Sequence, residues 1–465
     1  MSAFDVVIKG GELVTDGSRF VADVGVRGEK IACIGEDLSG EQEIDASGCL
    51  VIPGGVDVHV HLQMPIGDII SADDWEAGTR AAAYGGTTTV IDFVDPLPGQ
   101  GLMEALEARW AEAKGRAHID YSFHMVLADT SPSRLAEMAT IIEAGIPSFK
   151  LFMAYEGKYL TDDQLFVALR EIARLGGLAL VHAENYPIIR LLSRELLEEG
   201  KIEPRWHPVS RPAVAEGEAA GRIIALAEMA GAPIVIAHIS CAPVVDQIIT
   251  ARGRGLPVFG ETCPQYLTLT EKEYGRPGFL GARYVCSPPL RTEVDQRALW
   301  HGLRMGDLQI LSTDHCPWRW EDKERGRNDF TRIPGGVPGI ETRLALAYHF
   351  GVRTGRLSLH DWVNVCCTQP ARIFGLRDKG TLHVGMDADI VVFDPQREIS
   401  LTADQLHSQI DYSVYDEVTV RGWPRVVISR GQVVIDADGR CVGQPDHGRF
   451  IARTAPRLSS SLDRP

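Results

Sequence analysis

The sequence predicts an α/β protein, a (β/α)8 TIM-like barrel with a small β-sandwich domain formed from both chain ends. Two patterns predict this fold. In the middle of the chain, about eight apolar runs alternate with segments of helical periodicity. At both ends, short strands rich in valine and isoleucine are separated by turn residues.

The two chain ends share this pattern of short, turn-bounded strands. The amino-terminal runs are residues 5–9, 22–27 and 30–34, with Gly10-Gly11 and Gly28-Glu29 as turns. The carboxyl-terminal runs are residues 390–393, 417–420, 425–429 and 432–435. Because neither end carries the pattern of the middle, we expect both ends to build one sandwich.

The middle of the chain alternates strands with amphipathic helices. The predicted strands are residues 50–60, 87–93, 120–127, 148–153, 178–182, 233–239, 257–261 and 309–313. The predicted helices include residues 101–117, 133–143, 161–175, 215–229 and 243–252, in which apolar residues recur every three to four positions. An open, doubly wound sheet is the alternative that this alternation leaves.

These patterns predict the domain limits. We expect residues 1–52 and 385–440 to form the two parts of the sandwich, and residues 53–384 to form the catalytic barrel. Residues 441–465 are expected to be a C-terminal extension, which ends in a loose tail that contains Ser459 to Ser461.

Composition restricts the partners and the location. The 465 residues carry a net charge of -16, which argues against nucleic acid or an anionic membrane as a partner. No apolar run approaches the roughly 20 residues of a membrane helix. The nine cysteines are scattered without a C-x-x-C pair, and the amino terminus does not resemble a signal peptide. We therefore expect a cytoplasmic protein.

The carboxyl ends of the predicted strands carry residues that can bind metal. In a barrel these ends meet at one face, where the active site lies. The candidate ligands are His59, His61, Lys150, His182, His238 and Asp314. His59 and His61 are two positions apart, so both face the same side of their strand. Imidazole and carboxylate suit zinc or a similar divalent ion, and the number of ligands exceeds what one tetrahedral zinc needs.

Lys150 is the unusual member of this set, because a charged ammonium repels a metal. Phe149 and Phe152 flank it, and such an apolar environment lowers the pKa of an amine. A neutral amine can take up carbon dioxide to form a carbamate, whose two oxygens can bridge two cations. The alternative is a lysine that pairs with a carboxylate or reaches solvent.

At these residues the sequence resembles the dihydropyrimidinase and hydantoinase branch of the cyclic amidohydrolases, over nearly the whole chain. The matching stretches are PGGVDVHVHLQMP at 53–65, SFKLFMAY at 148–155, HAEN at 182–185, GETCPQYL at 260–267, SPPLR at 287–291 and TDHCP at 313–317. Together these stretches are specific to that branch.

The resemblance implies two divalent metal ions, with zinc expected and manganese or cobalt as alternatives. It implies that one ion is held by His59, His61, a carbamylated Lys150 and Asp314. It implies that the other is held by His182, His238 and the same carbamate. A homotetramer is a further implication of the family.

The implied function is hydrolysis of the cyclic amide of 5-substituted hydantoins or dihydropyrimidines to N-carbamoyl amino acids. Asp314 is expected to act as base and then as acid, and Tyr155 to hydrogen-bond the oxyanion. The alternatives are an allantoinase or dihydroorotase among enzymes, and a non-catalytic, amidohydrolase-like scaffold outside them.

Substrate contacts are expected from several loops. The resemblance implies that Tyr155 contacts the substrate and that Ser287 binds the ring amide through its main chain. Gly335 stands where the family has asparagine, and we expect it to make the loop freer. We expect an apolar pocket lined by Met64, Phe152 and Tyr159. Residues 318–336 are predicted to be a solvated surface excursion or lid.

Overall fold

The computed structural model describes residues 4–455, whose strands form two large assemblies. The strands are β1 (Phe4–Val14), β2 (Arg19–Arg27), β3 (Lys30–Gly35), β4 (Gly40–Asp45), β5 (Leu50–Pro53), β6 (Gly55–Val60), β7 (Pro65–Ile66), β8 (Ile69–Ile70), β9 (Thr87–Val94), β10 (Asp120–Val126), β11 (Ser148–Phe152), β12 (Leu178–His182), β13 (Ile234–Ile236), β14 (Val258–Thr262), β15 (Ile310–Leu311), β16 (Ile390–Ser400), β17 (Thr419–Ser429) and β18 (Gln432–Ile435).

Most of the helices lie between consecutive strands of the barrel or follow its last strand. They are α1 (Trp75–Tyr84), α2 (Leu102–Ala113), α3 (Pro132–Glu143), α4 (Asp162–Arg174), α5 (Tyr186–Glu198), α6 (His207–Ser210), α7 (Ala213–Ala230), α8 (Ala242–Gly253), α9 (Pro264–Thr268), α10 (Glu293–Met305), α11 (Trp320–Glu324), α12 (Arg343–Ala347), α13 (Leu359–Val363) and α14 (Gln369–Ile373). Within residues 4–455, no helix is long and apolar enough to cross a membrane.

The parallel strands form the predicted barrel. β6 and β9 to β15 pair in chain order, with every pairing parallel. A bridge between Val60 and His315 joins the two ends of this sheet, where the His61 N–H donates to the His315 carbonyl over 2.8 Å. A doubly wound sheet would reverse its strand order and stay open, so the barrel is confirmed.

The strands from both chain ends form one domain, as the sequence predicts. β1 to β5 and β16 to β18 share a mixed sheet in the order β18-β17-β16-β5-β1-β2-β3, and β4 also pairs with β1. The hydrogen bonds run through one continuous sheet, because β5 pairs with β1 from the amino end and β16 from the carboxyl end.

The predicted strand at residues 50–60 is in fact two strands. β5 belongs to the end sheet and β6 begins the barrel, with Gly54 between them. The Gly54 N–H donates to the Asp389 carbonyl over 2.9 Å, which fixes the turn to the end sheet. A Cβ at this position would lie 2.1 Å from Thr88 Oγ1, so the close approach of the barrel requires glycine.

The helices follow the predicted periodicity. In α4 the buried residues are Leu165, Ala168, Leu169 and Ile172, which is the three-to-four spacing of one apolar face. Thr161 and Gln164 form a capping box at its start. The helix therefore begins and ends within one residue of the predicted range 161–175.

The interpretation of residues 318–336 as a solvated excursion is wrong in part. The segment contains α11, and the side chains of Trp318 and Lys323 are fully buried within it. Its charged residues Glu321 and Arg325 are exposed, as expected. The burial of Lys323 is not visible in the sequence because it depends on distant carbonyl groups.

The carboxyl-terminal segment packs along the barrel. The Tyr121 N–H of β10 donates to the Arg449 carbonyl over 3.0 Å, and the Ile451 N–H donates to the Tyr121 carbonyl over 2.7 Å. Residues 456–465, which include the predicted serine tail, lie outside the described residues. The domain limits stay a prediction.

A buried charge cluster joins the barrel to the end sheet. Lys379 Nζ lies 2.6 Å from Asp120 on β10, 3.0 Å from Asp387 and 2.8 Å from Asp389. All four residues are buried, so water does not screen their interactions. Arg430, which directly follows β17, also pairs with Asp120.

We expect Lys379→Met to lower the free energy of unfolding by about 3–5 kcal/mol, because it leaves the buried Asp389 without a cation and removes one cation from Asp120 and Asp387. Urea denaturation followed by tryptophan fluorescence measures this change. The control is Lys272→Met, whose exposed pair with Glu293 should contribute nothing measurable. An unchanged unfolding curve for Lys379→Met would show that the cluster does not hold the two domains together.

Candidate active site

The six candidate ligands come together at the carboxyl ends of the barrel strands. His59 lies in β6, Lys150 in β11 and His182 at the end of β12, and the others lie within three residues after the ends of β6, β13 and β15. All six line one cavity of about 1290 Å³. The chain therefore places the predicted set in one site.

His59, His61 and Asp314 form the tighter group. Their ligand atoms all lie within 4.8 Å of one another, as a shared metal ion requires. The Asp314 Oδ1 atom is 3.3 Å from His59 Nε2 and 3.1 Å from His61 Nε2. Burial by itself raises the pKa of the Asp314 carboxyl, but His59 and His61 outweigh it and lower that pKa below its ordinary value.

His182 and His238 lie beside this group. Their ring centroids are 4.5 Å apart, and the His238 ring is 5.3 Å from that of His59. Burial lowers the pKa of both imidazoles, so both are neutral and can bind a metal.

Lys150 lies between the two groups in an apolar environment. Its Nζ atom is 5.3 Å from the Phe93 ring and 5.4 Å from the Phe152 ring. Burial lowers the pKa of this amine to about 8, although Glu261 and Asp314 oppose the effect. The lysine therefore neither pairs with a carboxylate at hydrogen-bond distance nor reaches solvent.

The site residues fit a pair of divalent ions. Among the described residues, Lys150 Nζ, His61 Nδ1 and His238 Nδ1 are buried without a hydrogen-bond partner. A buried polar nitrogen without a partner is costly, and a site that holds several of them is suited to bind a further group. The donor set of imidazoles and a carboxylate matches zinc and related ions.

Two carboxylates that the sequence analysis did not predict form hydrogen bonds with His59 and His182. Glu261 Oε1 lies 2.7 Å from His59 Nδ1, and Glu184 Oε2 lies 2.6 Å from His182 Nε2. Each carboxylate fixes the ring so that its other nitrogen faces the site. Burial raises the pKa of Glu261 to about 7, against the effect of Lys150. The available signal was their position at strand ends, in the GETCPQYL and HAEN stretches.

The backbone is strained at three of the site residues. Tyr155, His238 and Asp314 have φ values of 72°, 37° and 50°, in the left-handed region that residues other than glycine rarely adopt. Asp57 on β6 fixes the backbone beside Asp314, because it accepts the Thr313 N–H over 3.1 Å and the Thr313 hydroxyl over 2.6 Å. Such strain is common at functional sites, where surrounding contacts maintain it.

One wall of the cavity carries the predicted substrate contacts. The lining residues include Met64, Phe152, Tyr155, Ser287 and Gly335. The Tyr155 ring is 4.9 Å from the His182 ring. Burial raises the pKa of the Tyr155 hydroxyl well above its ordinary value, so it remains a proton donor.

Tyr159 is placed elsewhere. It is not among the described residues that line the cavity, and its ring packs 5.5 Å from that of Tyr186. Its backbone bridges to Phe152, so Tyr159 supports a lining residue from behind. The sequence spacing could not separate these two positions, because the loop after β11 turns back on the strand.

Several hydrogen bonds hold the loop around Gly335, and the expectation that glycine makes this loop freer stays a prediction. The Gly335 carbonyl accepts the Trp318 Nε1–H over 2.9 Å, and the next N–H, of Gly336, donates to the Val285 carbonyl over 2.9 Å. A Cβ at Gly335 would find Ser287 Oγ as its nearest neighbour, at 3.6 Å. The loop is thus held by its neighbours, and the space for a side chain beside Ser287 is open.

Comparison with known proteins agrees with this geometry. A model of the Amidohydrolase family matches residues 50–434. A D-hydantoinase of Streptomyces coelicolor is 45% identical over 457 residues, which cover 96% of this chain and 97% of the relative.

Two solved structures resemble this one along nearly the whole chain. A dihydropyrimidinase from Brevibacillus agri NCHU1002 matches with a TM-score of 0.96 and 41% identity, covering 97% of this chain and 99% of that one. An L-hydantoinase (dihydropyrimidinase) from Arthrobacter aurescens matches with a TM-score of 0.88 and 33% identity, covering 97% of this chain and 100% of that one. The chain belongs to the amidohydrolase family, in its hydantoinase and dihydropyrimidinase branch.

Proposed function

We propose that this protein hydrolyses the cyclic amide of 5-substituted hydantoins or dihydropyrimidines to N-carbamoyl amino acids, using two divalent metal ions. The observation that carries the proposal is the group of His59, His61 and Asp314, with ligand atoms within 4.8 Å, beside a buried and unpaired Lys150. The names of the relatives, D-hydantoinase and dihydropyrimidinase, support this substrate class.

The proposed metal ligands follow the two groups of the site. One ion would be held by His59, His61 and Asp314, and the other by His182 and His238. In its neutral form the Lys150 amine would attack carbon dioxide, form a carbon–nitrogen bond and release one proton, and the resulting carbamate would supply oxygen ligands to the ions. Zinc fits the donors best, with manganese and cobalt as alternatives. When bound, such ions polarise a substrate carbonyl and lower the pKa of water.

Asp314 is the proposed proton carrier. Its carboxyl lies at the centre of the ligand group, and its pKa is held below the ordinary value, so it is ionised at neutral pH. It accepts a proton as water attacks the ring carbonyl. It then donates that proton to the ring nitrogen as the carbon–nitrogen bond breaks, so that one carboxyl acts first as base and then as acid.

Tyr155 and Ser287 are proposed to hold the reacting amide. The Tyr155 hydroxyl keeps its proton, so it can donate a hydrogen bond to the oxyanion. Such a hydrogen bond is worth about 3 kcal/mol in other enzymes. The main chain at Ser287 and Gly335 would pair with the rest of the ring amide. Met64 and Phe152 would contact the ring substituent.

Stereochemistry and assembly extend the proposal. The D-hydantoinase relative is 45% identical, against 33% for the L-hydantoinase, so we propose a preference for the D-enantiomer. From the family we also propose a homotetramer, which light scattering can test.

All nine cysteines fall within the described residues and are free thiols, which supports a cytoplasmic location.

The first experiment measures bound metal per chain by mass spectrometry and the ring opening of small cyclic amides. The substrates are hydantoin, both enantiomers of 5-phenylhydantoin, dihydrouracil, allantoin and dihydroorotate. We expect two metals per chain, with hydantoins or dihydrouracil opened fastest. Faster turnover of allantoin or dihydroorotate would identify one of those enzymes instead. Metal-free, inactive protein after addition of zinc and bicarbonate would support a scaffold.

Lys150→Met should reduce the bound metal from two ions per chain to one or none and abolish ring opening, because methionine cannot form a carbamate. In 13C-labelled bicarbonate, the unaltered protein should show a carbamate resonance that the variant lacks. The control is Lys201→Met, which removes a partly exposed amine that pairs with Glu199 and is not among the described residues that line the cavity. Full metal content and turnover in Lys150→Met would exclude the carbamate.

Asp314→Asn should lower kcat by about 100-fold or more, because an amide cannot carry the proton. Steady-state kinetics on hydantoin, with metal content measured on the same sample, separates this effect from loss of an ion. Asp246→Asn, at an exposed position of α8, should leave kcat unchanged. Near-normal turnover of Asp314→Asn with both metals bound would remove Asp314 from its proposed role.

A further inference from the structure

Lys323 is a buried lysine whose side-chain hydrogen bonds are all with main-chain carbonyl groups. It lies on α11, is fully buried, and its Nζ atom donates to the carbonyl oxygens of Val285, Pro334 and Gly336. The three distances are 2.9, 2.8 and 2.9 Å. None of the ion pairs within residues 4–455 includes this amine.

If Lys323 served only to stabilise the fold, burying its amine in this way would be unfavourable. Burying an amine removes its hydration, and carbonyl groups compensate less than a carboxylate does. An apolar side chain could fill the same volume without this cost. The three hydrogen bonds instead connect stretches of chain that are about fifty residues apart in sequence, from Val285 to Gly336.

The connected carbonyls flank the proposed substrate contacts on both sides. Val285 is two residues before Ser287, while Pro334 and Gly336 stand directly before and after Gly335. The Gly336 N–H also donates to the Val285 carbonyl over 2.9 Å. Ser287 and Gly335 both line the cavity, so the amine lies behind this wall and fixes both of its segments.

We propose that Lys323 is a positioning residue, which sets the spacing between the main chain at Ser287 and the main chain at Gly335 for binding of the ring amide. This inference rests on the proposed function. Glycine at position 335 has a wide range of backbone conformations. The hydrogen bonds from Lys323 to the carbonyls of Pro334 and Gly336 therefore restrict the backbone at position 335, as a side chain there would otherwise do. Displacement of either segment would worsen the geometry of the hydrogen bonds to the ring amide, and hydrogen bonds weaken steeply as their geometry worsens.

The test compares the steady-state kinetics of Lys323→Met with those of the unaltered holoenzyme, using hydantoin and dihydrouracil. We expect KM to rise about tenfold or more while kcat changes less than about threefold. This pattern is expected when a variant weakens binding of the substrate and of the transition state equally. Metal content should be unchanged, because Lys323 contacts none of the proposed ligands. Lys323→Gln retains two N–H donors and should give an intermediate KM; it also provides the test if the methionine variant does not fold.

The matched control is Arg453→Met. Arg453 is a buried cation that donates to the Phe374 carbonyl and the Ser148 hydroxyl near the start of β11, away from the site. The Arg453→Met substitution should lower the midpoint temperature of unfolding and leave KM unchanged. Lys323→Met or Lys323→Gln with a lowered midpoint but an unchanged KM would overturn the inference. Unaltered protein that opens none of the rings would contradict the proposed function itself.

Discussion

The closure of the barrel between β6 and the segment after β15 is the constraint on which the rest of the site depends. The His61 N–H binds the His315 carbonyl, and Asp57 accepts both the N–H and the hydroxyl of Thr313. These bonds bring His59 and His61 to Asp314, although more than 250 residues separate them. A metal site assembled from both ends of a barrel exists only when that barrel is closed.

Burial then determines the chemistry of the groups that closure brings together. It keeps His182 and His238 neutral, and it lowers the pKa of Lys150 to about 8. Glu184 and Glu261 orient two of the imidazoles from behind. Neutral imidazole nitrogens are what a pair of divalent ions needs, and a lowered amine pKa increases the neutral fraction of Lys150 that can react with carbon dioxide. The proposed hydrolase therefore uses one physical effect, desolvation, for both requirements.

The cavity wall that contains Ser287 and Gly335 is held by hydrogen bonds to main-chain carbonyl groups. Trp318 and Lys323 bind carbonyl groups around Gly335, and Gly336 binds Val285. The segment that contains them has an exposed, charged outer face and a buried inner face. A polar sequence with a few buried anchors can therefore be part of a substrate site, since the anchors fix the backbone and leave the carbonyl and amide groups of the wall in place.

The barrel, the domain from both chain ends and the set of six candidate ligands could be predicted from the amino-acid pattern alone. This was possible because strand and helix periods are local, and because the carboxyl ends of parallel strands meet at one face. Four features emerge only in the folded chain: the division of residues 50–60 at Gly54, the support of two histidines by Glu184 and Glu261, the position of Tyr159 behind Phe152, and the burial of Lys323. Each of these depends on contacts between residues distant in the chain, which leave no periodic signal in the sequence.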